Sequence, residues 1–167
     1  MNVLVAVASK HGATWQIAET LAGALRDAGL AADVRGPDDV NSLDGYDAVI
    51  LGGAVYMGRW PAPAREFAAR HRERLASMPV WLFSSGPVGD PLAPEGDTPE
   101  MVELAARLGA RGYQTFAGRI ERARLGIMER AIVGALHAPD GDFRDTEAVR
   151  AWATTLLAAL HRTEVAA

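Results

Sequence analysis

The fold is decided by residues 2–14, which read Asn-Val-Leu-Val-Ala-Val-Ala-Ser-Lys-His-Gly-Ala-Thr. The continuous apolar run at 2–8 is typical of a strand that is buried on both faces, as in a parallel sheet. Thr14 is placed to cap a following helix, in which large apolar residues recur every four positions from Ile17. The stretch therefore predicts a buried strand, a short polar loop and an amphipathic helix.

The same alternation continues along the chain. Further strands are predicted at 32–35, 48–52, 80–83 and 113–117, and further helices at 61–76, 99–111 and 146–161. Five strands alternating with helices predict an α/β fold, a doubly wound five-stranded parallel sheet with helices on both faces. In such sheets ligands bind beyond the carboxyl ends of the strands, where the strand order reverses. The loops after the first, third and fourth strands therefore form the candidate site.

Composition limits the kinds of site that the chain can carry. Its 167 residues, without a long linker, suit a single domain over 1–167, and the net charge of −4 argues against nucleic acid as the main partner. The absence of cysteine excludes disulfides and thiolate sites. The histidines lack metal-ligand spacing, so no metal is predicted. The N-terminus reads as a strand rather than a signal peptide, so a cytoplasmic location is expected.

The loop after the first strand carries groups that suit a phosphate. Residues 9–14 would present successive backbone amides and two hydroxyls at a helix N-terminus, where an anion is stabilised. Gly12 would let the backbone approach such a ligand closely. The spacing matches neither G-x-x-x-x-G-K-S/T nor G-x-G-x-x-G. From these residues taken by themselves, an ordinary strand–helix turn with a threonine cap is an equal alternative.

The loop also resembles the phosphate loop of flavodoxins, written S/T-x-S/T/H-G-x-T. This resemblance implies a flavodoxin-like sheet of order 2-1-3-4-5 and a non-covalently bound FMN, which a single phosphate loop favours over FAD. The lysine side chain is expected to be solvated rather than to clamp the phosphate. The resemblance assigns the phosphate to Ser9, the backbone of Lys10, His11, Gly12, Ala13 and Thr14.

The resemblance extends to the other two loops. In flavodoxins the loop after the third strand packs an apolar or aromatic side chain on the isoalloxazine ring and offers it a backbone group. The loop after the fourth strand borders the ring's other side. Tyr56 and Trp60 can equally be core aromatics. The residues assigned to the flavin in these loops are Ala54, Val55, Tyr56, Met57, Gly58, Ser85, Gly86, Pro87, Val88 and Gly89.

The chain is similar over most of its length to the flavodoxin branch that includes menaquinone-dependent protoporphyrinogen dehydrogenase. The segments Phe-Ala-Gly-Arg-Ile at 116–120 and Gly-Asp-Phe-Arg-Asp at 141–145 carry this resemblance besides the loops. It implies an FMN-dependent oxidoreductase that oxidises a porphyrinogen or reduces a quinone, with no catalytic side chain assigned. Because the loop after the fourth strand lacks an aromatic residue, one ring face would be open to a small substrate. The alternatives are an electron-transfer protein acting between a reductase and a partner enzyme, and a scaffold that has lost its flavin.

That branch has an additional helical segment after the fifth strand, which corresponds to residues 119–137. Its arginines alternate with large apolar residues. The pattern permits contact with a membrane or an acidic partner. A helix packed on the domain with a solvated arginine face is the favoured interpretation. The expected partners are a redox protein or a small substrate, and the chain is expected to be a monomer or a homodimer.

Overall fold

The computed structural model describes residues 1–10, 12–56, 58–86, 98–135, 137 and 139–165. The strands are β1 (Asn2–Ala8), β2 (Ala31–Arg35), β3 (Ala48–Ala54), β4 (Val80–Ser85), β5 (Gly112–Phe116), β6 (Arg119–Ile120) and β7 (Gly141–Asp142). The α-helices are α1 (Ala13–Asp27), α2 (Ala62–Arg70), α3 (Arg72–Ala76), α4 (Pro99–Leu108), α5 (Ile127–Ala135) and α6 (Thr146–Val165). Single 3-10 turns lie at Pro37–Asp39 and Arg122–Arg124.

The main sheet has the order β2-β1-β3-β4-β5, and every neighbouring pair in it is parallel. This confirms the predicted α/β fold and its 2-1-3-4-5 strand order. The chain leaves β1 toward β2 on one side and returns to β3 on the other side. The strand order therefore reverses between β1 and β3, which is where a crevice opens in such sheets.

Both faces of the sheet are buried at its central strands, which explains the unbroken apolar run of β1. Val3, Val5 and Val7 belong to the apolar cluster that contains the inner faces of α1 and α6. Leu4 and Ala6 belong to the cluster that contains α2, α3 and α4 on the opposite side. Successive side chains of a strand point to opposite faces, so a strand that is covered on both sides must be apolar throughout.

Several predicted boundaries differ from the structure. The helix predicted at 61–76 is divided into α2 and α3 at His71, whose ring lies 4.8 Å from that of Phe67 and 3.3 Å from the carbonyl oxygen of Val40. The helix predicted at 99–111 ends at Leu108, because Gly109 adopts the left-handed conformation (φ 61°) that ends many helices.

The prediction of one helical segment over 119–137 is wrong for its first residues. Arg119 and Ile120 pair with Asp142 and Gly141 in an antiparallel ladder, and a 3-10 turn precedes α5. The ladder partner lies downstream of the segment, so the local pattern carried no signal for it. Among the described helices none is long and apolar enough to cross a bilayer.

Candidate functional site

Three loops leave the main sheet at one edge. Ala8 at the end of β1 is level with Gly53 of β3, and Gly53 is level with Ser84 of β4. The segments that follow these strands therefore start side by side, at the point where the strand order reverses. The structure brings together the described parts of the three predicted loops.

The N-terminus of α1 is open to an anion. Gly12 has the left-handed conformation (φ 80°, ψ −9°), and its N–H donates to the Ser9 hydroxyl at 3.1 Å. Among the described residues no side chain caps this helix, and its first turn contains no acidic residue. The first amides of a helix have no partner within it and carry the positive end of its dipole. These features fit a phosphate group.

Thr14 is not the cap that the sequence predicts, because Gly12 holds that position. The Thr14 side chain is 1% exposed, and its hydroxyl lies 2.7 Å from the hydroxyl of Ser85, which is 3% exposed. Each hydroxyl carries one donor and two acceptor lone pairs, so both keep capacity for a further partner. The bond joins the loop after β1 directly to the end of β4.

The loop after β3 is held in a tight turn. Val55 donates its N–H to the Ser85 carbonyl at 2.7 Å, and Tyr56 and Arg59 exchange two backbone hydrogen bonds of 2.9 Å. Gly58 makes the turn possible with a φ of 76°. The two aromatic residues of this loop have different environments, since Tyr56 is 41% exposed at the site and Trp60 is 2% exposed in the core.

The loop after β4 is described as far as Gly86. A Cβ atom on Gly86 would lie 3.2 Å from the Val55 carbonyl, and one on Gly118 would lie 3.3 Å from the Gly86 backbone. A side chain at either position would be crowded where these three backbones approach one another, and glycine avoids this. Five residues of the predicted site lie outside the described residues: His11, Met57, Pro87, Val88 and Gly89. The assignment of the whole predicted set to a flavin stays a prediction.

Glu129 of α5 is a residue of this region that the sequence analysis missed. Its Oε1 accepts a hydrogen bond of 2.5 Å from the Nζ of Lys10. Burial and the negative charge of Glu129 raise the pKa of Tyr56, while the Lys10 charge opposes this shift. Lys10 is solvated as expected, with 68% of its side chain exposed, but it is also paired. The pair joins residues 119 positions apart, and no local motif signals it.

Comparison with known proteins agrees with this architecture. Residues 4–147 match the model of the flavodoxin domain family. Protoporphyrinogen IX dehydrogenase (quinone) of Escherichia coli strain K12 is 31% identical over 109 residues, and the match spans 64% of this chain but 59% of that relative's length.

Solved structures share the fold at lower identity. A flavodoxin from Streptococcus pneumonia TIGR4 superposes with a TM-score of 0.61 at 20% identity, covering 95% of this chain and 99% of that one. Rubredoxin oxygen:oxidoreductase from Desulfovibrio gigas superposes with a TM-score of 0.68 at 14% identity, covering 99% of this chain and 37% of that one. These likenesses concern the fold. The family match covers most of the chain, and on this ground the chain belongs to the flavodoxin domain family.

Proposed function

We propose that this chain binds FMN non-covalently at the three loops and is an FMN-dependent oxidoreductase. The observation that carries the proposal is the N-terminus of α1, which is uncapped and free of acidic residues among the described residues. It lies at the sheet edge where β1, β3 and β4 end. Membership of the flavodoxin domain family makes FMN the expected anion for this position.

Different groups of the chain would bind the phosphate and the ring of FMN. Ser9, the amides at 10–14 and Thr14 would hold the phosphate, as backbone donors do at a helix N-terminus. Tyr56 would form one wall for the ring, and the backbones of Val55 and Gly86 would line its edge. The bound flavin would supply the electron or hydride transfer, while the protein orients it and tunes its surroundings.

A small substrate is favoured over a docked protein by the charges on α4. An electron carrier would be expected to dock a basic partner through acidic side chains, but Glu100 and Glu103 of α4 both lie beside arginines. Glu100 is 3.8 Å from Arg65, and Glu103 is 3.7 Å from Arg107. Paired carboxylates attract a basic partner less than unpaired ones do. By similarity to the Escherichia coli relative, we propose a porphyrinogen as the electron donor and a quinone as the acceptor.

The first experiment is an absorbance spectrum of the purified protein before and after addition of FMN and gel filtration. Retained bands at about 375 and 450 nm are expected. Riboflavin should be retained less well, because it lacks the phosphate that the α1 terminus would bind. Absence of bands from protein that circular dichroism shows to be folded would refute the FMN site.

The second experiment separates an enzyme from an electron carrier. Protein loaded with FMN should transfer electrons from a porphyrinogen to a water-soluble quinone over many turnovers. Free FMN at the same concentration is the control. If no turnover occurs and reductive titration shows two well-separated one-electron steps, the chain is an electron-transfer protein instead.

A further inference from the structure

The Lys10–Glu129 pair connects the core of the fold to the segment between β5 and α6. Lys10 lies in the loop after β1, which is common to the doubly wound core. Glu129 lies in α5, which is part of the segment that connects β5 to α6. Lys10 is 68% exposed, whereas the Glu129 side chain is 16% exposed. The carboxylate is therefore held in place, and the lysine extends to it.

Glu129 also holds the beginning of its own helix. Its Oε2 accepts the N–H of Gly126 at 2.8 Å, while Oε1 accepts from Lys10. The next residue, Arg130, donates through Nε to the Arg122 carbonyl at 2.9 Å, which ties α5 to the preceding 3-10 turn. A displacement of Lys10 would thus be passed to the first turn of α5 and to the turn before it.

The same helix start is exposed and apolar. Ile127 is 88% exposed and Met128 is 79% exposed. Tyr56, a wall of the proposed flavin site, feels the charges of both Lys10 and Glu129. Because Glu129 contacts Lys10 of the loop after β1, the first turn of α5 lies beside the proposed site with its apolar side chains exposed.

We propose that Lys10 and Glu129 tether α5 to the loop after β1, so that a phosphate bound in this loop steadies α5. The inference rests on the proposed FMN site and adds regulation to it. A bound phosphate restricts the motion of the backbone that carries Lys10. Through the ion pair, this also restricts the motion of α5. The apolar start of α5 is then held more firmly in the loaded protein than in the protein without ligand. Coupling of this kind needs ordering rather than a change of shape.

The test is hydrogen–deuterium exchange of backbone amides in peptides that cover 126–135, without ligand and at saturating FMN or riboflavin. In the wild type, FMN should slow this exchange at least about threefold more than riboflavin does. Lys10→Met and Glu129→Gln should each abolish the difference. The glutamine can still accept from Gly126, so the helix start is kept while the ion pair is lost. Glu103→Gln, which breaks the exposed pair with Arg107 on α4, is the matched control and should behave as the wild type.

The outcomes separate this inference from the proposed function. Equilibrium dialysis of the same samples measures how much FMN is bound. If the wild type binds no FMN, the proposed function and the tether are both overturned. If FMN binds but does not change the exchange in α5, only the tether is overturned. The same holds if FMN slows this exchange as much in Lys10→Met and Glu129→Gln as in the wild type.

Discussion

The hydroxyls of Thr14 and Ser85 lie 2.7 Å apart in a setting where both side chains are almost fully buried. This bond joins the first turn of α1 to the last residue of β4. Two of the three loops of the candidate site are thereby fixed to each other by groups that are also predicted to meet the flavin. The stability of the fold and the geometry of the site depend on the same pair.

Thr14→Val is expected to destabilise the protein by about 1–3 kcal/mol, because it removes one partner and leaves the other hydroxyl buried. Urea unfolding followed by circular dichroism measures this change. Thr20→Val is the matched control, since Thr20 lies on the same helix and bonds the Gln16 carbonyl locally. Its effect should stay within about 0.5 kcal/mol.

A double-mutant cycle tests whether the two hydroxyls act as a pair. Thr14→Val combined with Ser85→Ala should cost less than the sum of the single changes by about 0.5 kcal/mol or more, because the pair loses its bond only once. Strict additivity would contradict the pairing.

Alanine should cause similar backbone strain at Gly12 and at Gly29, which lie at opposite ends of α1. Both have positive φ (80° and 88°), and a Cβ atom would meet nothing within 4 Å at either position. Alanine at each should cost about 1–2 kcal/mol of stability through backbone strain. Gly12→Ala should also weaken FMN binding about tenfold by displacing the phosphate-loop amides, whereas Gly29→Ala should not. Quenching of FMN fluorescence measures the affinity, and equal affinities would argue against the α1 terminus as the phosphate site.

Gly52 and Gly23 should respond in opposite ways to the same substitution. A Cβ atom on Gly52 would lie 2.1 Å from the ring of Phe83. That ring is buried and packs edge-on against Phe116 and Trp152, so it cannot move aside easily. Gly52→Ala should therefore destabilise the protein by about 1–3 kcal/mol.

Gly23 lies inside α1 with open space around its Cβ position. Gly23→Ala should stabilise the protein by about 0.4–1 kcal/mol, because alanine restricts the unfolded chain and favours the helix. Thermal or urea unfolding of both variants checks the two signs. A stabilising Gly52→Ala would show that the core around Phe83 is loosely packed.

The Asp142–Arg144 pair should make stability depend on pH in the acid range. The guanidinium of Arg144 holds the pKa of Asp142 below its ordinary value of about 3.9. A depressed pKa contributes stability above that ordinary value, and the contribution is lost as the pH falls through the pKa of the folded state. Because Asp142 is 45% exposed, the effect should stay below about 1 kcal/mol.

Arg144→Gln should therefore lower the free energy of unfolding most at neutral pH, and the difference from the wild type should narrow below about pH 4. Asp142→Asn should remove this acid dependence. Arg144 also donates to the Gln16 side chain, and this bond contributes at every pH. A difference that widens in acid would contradict the shift assigned to Asp142.

The main sheet could be predicted because its signals are local. The strand at 2–8 coincides with β1, since an apolar run of this length has one stable environment in an α/β fold. The loops of the candidate site could be located because strand order decides which strand ends meet. The β6–β7 ladder was missed because its two strands are separated by a long stretch of chain. The break at His71, where the ring contacts the Val40 carbonyl, was also missed.

By itself, the sequence determined the fold and the edge of the sheet at which the loops of the candidate site meet. The tertiary structure decided that Thr14 bonds Ser85, that Trp60 rather than Tyr56 is buried, and that Lys10 pairs with Glu129. Periodicity and loop motifs indicate on which face of its own helix or strand, or in which loop, a residue lies. The partner of a polar side chain depends on which elements pack together, and that is set by the burial of apolar surface over the whole chain.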